Sequence, residues 1–166
     1  SNEEVITAIP KFKVDFSATL NAALMLRGEE GGGFTTIDLL ALQRPTGAGT
    51  LYKYGAAPSY LKRGGCVTRV TGQSLPAGLQ QGADGPESTR LSLQAGSFFV
   101  MVSDGVADET DDEWLQNLMA GWSGQNAEAL ASLILSESRT RRGLRDDCAV
   151  LVLHLPKMED SPPRQV

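Results

Sequence analysis

The chain has little of several things that would have named its chemistry at once. It holds one histidine and two cysteines in 166 residues. His154 falls at the polar end of the last apolar segment, far in sequence from any nucleophile, so it reads as a surface residue and not as a general acid. Cys66 and Cys148 both sit in apolar, strand-like segments and read as two reduced core thiols, not as a disulfide or a metal pair. No Ser-His-Asp or Cys-His arrangement, P-loop or dinucleotide fingerprint is present. Positive charge is also short: 15 Lys and Arg against 20 Asp and Glu give a net charge of -5 and a pI near 4.9. This balance argues against non-specific contact with nucleic acid or an anionic membrane, since both need a basic surface, and leaves room only for a local basic patch. No apolar run approaches the roughly 20 residues that cross a bilayer, and no charged-then-apolar leader opens the chain. A soluble cytoplasmic domain with no membrane contact is expected. No internal repeat or disordered bias appears.

What remains is one ordinary globular domain, 41% hydrophobic and 21% charged. Helical spacing of Leu20, Ala23, Leu24 and Leu26 predicts an amphipathic helix over Ser17–Arg27, ended by Gly28, with a shorter helical piece from Glu3 to Ile9 stopped at Pro10. Strands are predicted over Phe34–Leu42, Thr50–Tyr54, Ser59–Lys62 and Cys66–Val70, with hairpin turns at Gly47-Ala48-Gly49 and Arg63-Gly64-Gly65. Gly72–Ser88, rich in Gly and Pro, reads as loop, and Asp84-Gly85 within it as a turn.

Downstream, Thr110 and Glu113 have the spacing of a capping box ahead of Trp114, Leu115, Leu118, Met119 and Trp122. Asn126 is placed to cap a second helix that Gly143 ends, with Arg139, Arg141 and Arg142 near its C-terminus, where the helix dipole favours cations. Cys148–Leu155 is the closing strand, and Pro156–Val166 a frayed tail.

Two of these segments share one property. Phe98-Phe99-Val100-Met101-Val102-Ser103-Asp104-Gly105 and Asp146-Asp147-Cys148-Ala149-Val150-Leu151-Val152-Leu153 each set carboxylates at the end of a strand that reads as buried. An unpaired buried carboxylate is costly, so such an Asp is hydrogen-bonded into a turn or bound to a cation, and two such strand ends could meet over one metal. The run Asp108–Glu113 lacks the glycine and alternating ligands of a calcium loop and reads as a charged helix start. Arg139, Arg141, Arg142 and Arg145 crowd the approach to Asp146: they could attract a phosphorylated substrate, with Arg142 and Arg145 the candidates, or form local ion pairs at a solvated helix end.

The ordered set Thr19–Arg27, Thr35–Leu42, Tyr54–Arg63, Leu75-Pro76-Ala77-Gly78, Phe98–Gly105 and Asp146–Leu153 resembles the C-terminal two thirds of the serine phosphatase domains of the stage II sporulation protein E family, within the metal-dependent type 2C (PPM) superfamily. The resemblance spans Ser1 to about Leu155, leaving 156–166 as a tail. It implies an α+β fold: an antiparallel β-sandwich flanked by helices on both faces (α-β-β-α). It also implies two Mn²⁺ or Mg²⁺ ions that activate a water for in-line attack on phosphoserine or phosphothreonine. Carried over by position, Asp104 and Asp146 would be metal ligands, Gly105 would let the chain turn away beside the ligand, and Asp147 would support the ligands or form the turn.

The implied partner is a phosphorylated regulatory protein, an anti-anti-sigma factor of the STAS-like kind, and the parent protein would carry an N-terminal membrane region. The family's first metal motif, a strand followed by Asp-Gly, has no counterpart here. An N-terminally incomplete domain is therefore expected, active as a phosphatase in the parent protein but inactive as this isolated chain, which binds metal weakly or not at all and exposes strand edges through which a homodimer could form. Two readings stay open: the phosphatase itself, or a catalytically incomplete regulatory and interaction module.

Overall fold

A computed structural model of the chain describes residues 19, 22–24, 34–43, 46–79, 86–143 and 146–156. The expected Glu3–Ile9 helix, Arg145, the Asp84-Gly85 turn and the tail beyond Pro156 lie outside these residues. So does most of the Ser17–Arg27 helix, of which Thr19 and residues 22–24 are described and are helical.

The chain divides into two compact units. One takes the described parts of Ser1–Ala41, Thr50–Ala56 and Gly72–Thr89, the other Leu42–Gly49, Ala57–Thr71 and those of Arg90–Val166. The first carries most of a three-stranded sheet in the order β1-β2-β5, from β1 (Ile37–Leu42), β2 (Ala48–Tyr54) and β5 (Glu87–Ser92). Lys53 of β2 is buried there and donates from Nζ to both carboxylate oxygens of Asp38 at 2.7 and 2.8 Å, as an ammonium taken out of water requires. The expected loop ends sooner than its composition suggests. Glu87 and Ser88 begin β5, a strand whose side chains are mostly polar and outward, so pairing of its backbone and not an apolar face holds it in place.

The second unit holds a four-stranded antiparallel sheet, β4-β3-β6-β7, built from β3 (Ser59–Arg63), β4 (Cys66–Val70), β6 (Phe98–Val102) and β7 (Val150–His154). The β3–β4 turn is two glycines, and Gly64 takes a φ of 57°, a conformation that costs any other residue a steric penalty. Alternation along β6 sends Phe98, Val100 and Val102 to one face. There they join Tyr60, Val106, Ala107, Leu115, Met119, Leu130 and Ile134 in the core under helices α1 (Glu113–Gly121) and α2 (Ala127–Arg142). Helix α2 starts and stops as its sequence requires: Asn126 Oδ1 accepts from the Ala129 amide at 3.0 Å, and Gly143, at φ 70°, lets the chain leave.

Several expectations are corrected in this unit. The Thr110–Glu113 capping box does not form, because the Thr110 hydroxyl donates to Asp108 at 2.6 Å and α1 begins only at Glu113. Its N-cap, Asp112, points its carboxylate away from the helix amides. It accepts instead from the buried Tyr60 hydroxyl at 2.9 Å, from Arg69 at 3.2 and 3.3 Å and from Gln116 at 3.0 Å. Burial, then the bond to Asp112, pushes the Tyr60 phenol well above its ordinary value.

Cys66 is exposed and not in the core, since it sits opposite Arg63 at the turn end of edge strand β4. The closing strand begins at Val150, two residues after Cys148, which is half-buried. His154 is half-buried and not fully at the surface. Its ring stacks on its cross-strand partner Phe98 at 4.1 Å, and Nε2 is buried with no hydrogen-bond partner among the described residues.

Lys62 serves α1 from another strand. The helix has no basic residue in its last turn, and the near-buried Lys62 ammonium donates to the Ala120 carbonyl at 3.3 Å and to that of Gly64. Desolvation lowers the Lys62 pKa.

Candidate metal centre

The neighbouring antiparallel strands β6 and β7 bring their carboxylate-bearing ends together. Val102 pairs with Val150, and just beyond the pair Ser103 stitches the two segments. Its amide donates to the Ala149 carbonyl at 3.0 Å, its hydroxyl donates to the Asp147 carbonyl at 3.0 Å, and the same hydroxyl accepts from the Ala149 amide at 2.9 Å. Gly105 then runs against the 146–147 segment so closely that a Cβ on it would lie 2.4 Å from the Asp147 carbonyl oxygen and 3.3 Å from Asp146 Cβ. Only a glycine permits that approach. Beneath it, Cys148 Sγ donates to the Gly105 carbonyl at 3.3 Å, and Ser138 Oγ of α2 reaches the Val106 carbonyl at 3.4 Å.

The result is a pocket of about 530 Å³ lined by Asp104, Gly105, Asp108, Asp111, Asp146 and Gly143, with Arg141 and Arg142 from the end of α2. Asp104 and Asp146 hold themselves alike: one carboxylate oxygen of each accepts the next residue's amide, Gly105 at 3.1 Å and Asp147 at 2.8 Å. Among the described residues the second oxygen of each makes no hydrogen bond. Asp147 is outside the lining; its backbone serves the turn, through its amide to Asp146 and its carbonyl to Ser103.

Arg142 lines the pocket but is largely committed. It donates from Nη1 to the Asp104 carbonyl at 2.7 Å, from Nε to Asp111 at 3.2 Å and from Nη2 to Asp108 at 2.5 Å. Its guanidinium therefore ties the last turn of α2 to the loop that carries Asp104. Hydrogen bonds from the Thr110 hydroxyl, from Arg142 and from the Thr110 amide hold the Asp108 carboxyl well below its ordinary value.

A depressed carboxylate stabilises the fold above the unfolded-state value of 3.8, and that contribution is lost as the pH falls through the lower folded value. Asp108 is 42% exposed. Solvent screening therefore limits the pair to about 1 kcal/mol, roughly 2–4 °C of Tm in a chain of this size. Asp108→Asn is expected to lower Tm by that much at pH 7, with the deficit shrinking below pH 3.8. A pH-independent deficit in thermal melts would refute this account.

The donor set suits a hard divalent cation. Two carboxylates with open oxygens match Mg²⁺ or Mn²⁺, which are commonly held by one or two protein carboxylates with waters and substrate phosphate completing the shell. Among the described residues no three His, Cys, Asp or Glu are grouped to hold a metal by themselves. Sequence reasoning did not assign Ser103, Ser138 or Cys148 a part in holding this loop. For Ser103 the signal was its place in Ser-Asp-Gly; for Cys148, at the head of an apolar run, and for Ser138, a serine among polar neighbours but in helical register with Leu130 and Ile134, it was faint.

Antiparallel sheets, with helices packed on the four-stranded one, make this the fold of type 2C protein phosphatases. A serine/threonine phosphatase of S. agalactiae superposes with a TM-score of 0.73 over 89% of this chain and 72% of its own, at 15% identity. The manganese-presoaked phosphatase domain of the Bacillus subtilis cell fate determinant SpoIIE superposes at 0.65, with 30% identity over 87% of this chain and 65% of that one. The family profile of stage II sporulation protein E (SpoIIE) matches residues 13–156, and the chain belongs to that family. The curated stage II sporulation protein E of Bacillus subtilis strain 168 is 31% identical over an alignment of 144 residues, which covers 82% of this chain but only 17% of that protein. Among the described residues no helix is long and apolar enough to cross a membrane.

Proposed function

We propose that this chain acts as a metal-dependent protein serine/threonine phosphatase domain that removes phosphate from a phosphoserine on a regulatory protein, of the anti-anti-sigma factor kind. In this reading Asp104 and Asp146 hold Mn²⁺ or Mg²⁺. The observation that carries it is the meeting of those two carboxylates in one pocket, each with an oxygen turned free of its own turn. The manganese-soaked relative supports the choice of cation.

When bound, such an ion lowers the pKa of water and shields phosphate charge. The chain's own residues supply the geometry. Ser103 and Gly105 fix the two strand ends against each other, the Gly105 and Asp147 amides orient the two carboxylates, and Arg142 holds the Asp104 backbone and offsets the charge of Asp108 and Asp111. Without that offset four carboxylates would repel an incoming phosphate.

Phosphate release from a phosphoserine peptide should appear on adding Mn²⁺ and vanish with a chelator. Release that is indifferent to metal, or absent at saturating Mn²⁺, would overturn the proposal. A second reading, an interaction module that does not hydrolyse phosphate, draws on the small donor set. It expects weak Mn²⁺ binding with no release.

A further inference from the structure

We propose that Arg141 receives the anionic group of the substrate at this pocket; the inference rests on the phosphatase reading above. Consecutive arginines at the end of α2 line the pocket, and they are not equivalent. Arg142 is bound to two carboxylates and a carbonyl and is 22% exposed. Arg141 is 53% exposed, and its ion pair, from Nε to Glu137 at 3.4 Å, joins two exposed side chains one helical turn apart. Such a pair contributes little and is readily exchanged for a better partner.

The Arg141 guanidinium carbon lies 5.5 Å from the centre of the Trp114 ring. Packing on an aromatic face limits the motion of the group and leaves its outer N–H edge available for a two-pronged contact with phosphate or carboxylate. Charge points the same way. Arg142 answers Asp108 and Asp111, and Asp104 and Asp146 are left for a cation. Among the described lining residues Arg141 is then the cation that no pocket carboxylate has taken. Its ligand is an anion that can come from two sources, the phosphoryl group itself or an acidic side chain beside the phosphoserine.

Trp114 is one of two tryptophans, so a Trp122→Phe background turns its fluorescence into a local probe. The Mn²⁺-loaded protein would be titrated with p-nitrophenyl phosphate and with phosphoserine peptides carrying acidic or alanine flanks. Arg141→Ala should weaken binding about tenfold or more, the loss of one charge-assisted contact, and the same factor should appear in KM more than in kcat. Arg141→Lys should recover part of it, since lysine lacks the planar fork.

Loss on all three ligands assigns Arg141 to the phosphoryl group, and loss only with acidic flanks assigns it to the neighbouring side chain. Equal affinity of wild type and Arg141→Ala for every ligand, with phosphate release intact, overturns the role of Arg141 alone. A wild type that releases no phosphate with Mn²⁺ overturns the phosphatase reading and this inference with it.

Discussion

Asp104→Asn and Asp146→Asn should each weaken Mn²⁺ binding by at least the 10- to 100-fold that even a residue supporting a metal ligand typically costs, and should cut phosphate release by orders of magnitude. The substitutions are chosen to isolate charge. Each keeps the side-chain volume and an Oδ1 that can still accept the Gly105 or Asp147 amide, so the local turns persist. What disappears is the charge of one of the two pocket carboxylates that have no guanidinium partner, since Arg142 is shared by Asp108 and Asp111. Asp108→Asn makes a useful contrast: it should affect stability more than metal affinity, because that carboxylate already has a guanidinium partner. Calorimetric titration with Mn²⁺ separates the two cases. Unchanged affinity in both the 104 and 146 variants, with the fold intact, would remove these carboxylates from the metal site.

The placement of Asp104 and Asp146 at adjoining strand ends was legible because its signal is local. An apolar run that stops at Ser-Asp-Gly, and another that starts after Asp-Asp, mark strand ends in any fold that buries the runs, and β6 and β7 lie side by side. The β3–β4 hairpin and both ends of α2 were legible for the same reason, since Gly64-Gly65, Asn126 and Gly143 act on their own backbone.

What was lost depends on partners distant in sequence. Asp112 gave up side-chain capping of α1 for a hydroxyl 52 residues away, and that exchange is energetically sensible only because Tyr60 is buried and needs an acceptor. The division of labour between Arg141 and Arg142 depends on which faces Trp114 and which faces the 104–111 loop, and helical spacing alone does not decide that. Strand β5 has too few apolar residues to show a buried face, and the stacking of His154 on Phe98 follows from cross-strand register.

Gly105→Ala tests the contact on which the pocket depends. Its φ is not in the left-handed region, so backbone strain is not the issue; space is. The added methyl would sit 2.4 Å from the Asp147 carbonyl oxygen and 3.1 Å from its carbon, and these are backbone atoms that no side-chain rotation can clear. The 103–106 turn and the 146–149 segment must separate. Separation pulls on the three Ser103 bonds at 2.9 to 3.0 Å and on the Cys148 contact with the Gly105 carbonyl. Overpacking typically costs about 1–3 kcal/mol, and a weakened hydrogen bond about 1 kcal/mol more. The expected sum, about 2–4 kcal/mol, would lower Tm by roughly 4–16 °C in a chain of this size. Mn²⁺ affinity should fall too, although no ligand atom is altered, because Asp104 and Asp146 no longer share one pocket. Gly121→Ala provides the control: a methyl there meets nothing within 4 Å at the end of α1, and helix propensity makes it neutral or slightly stabilising. If the 105 variant melted and bound Mn²⁺ like the 121 variant, close approach of these two segments could not be what assembles the site.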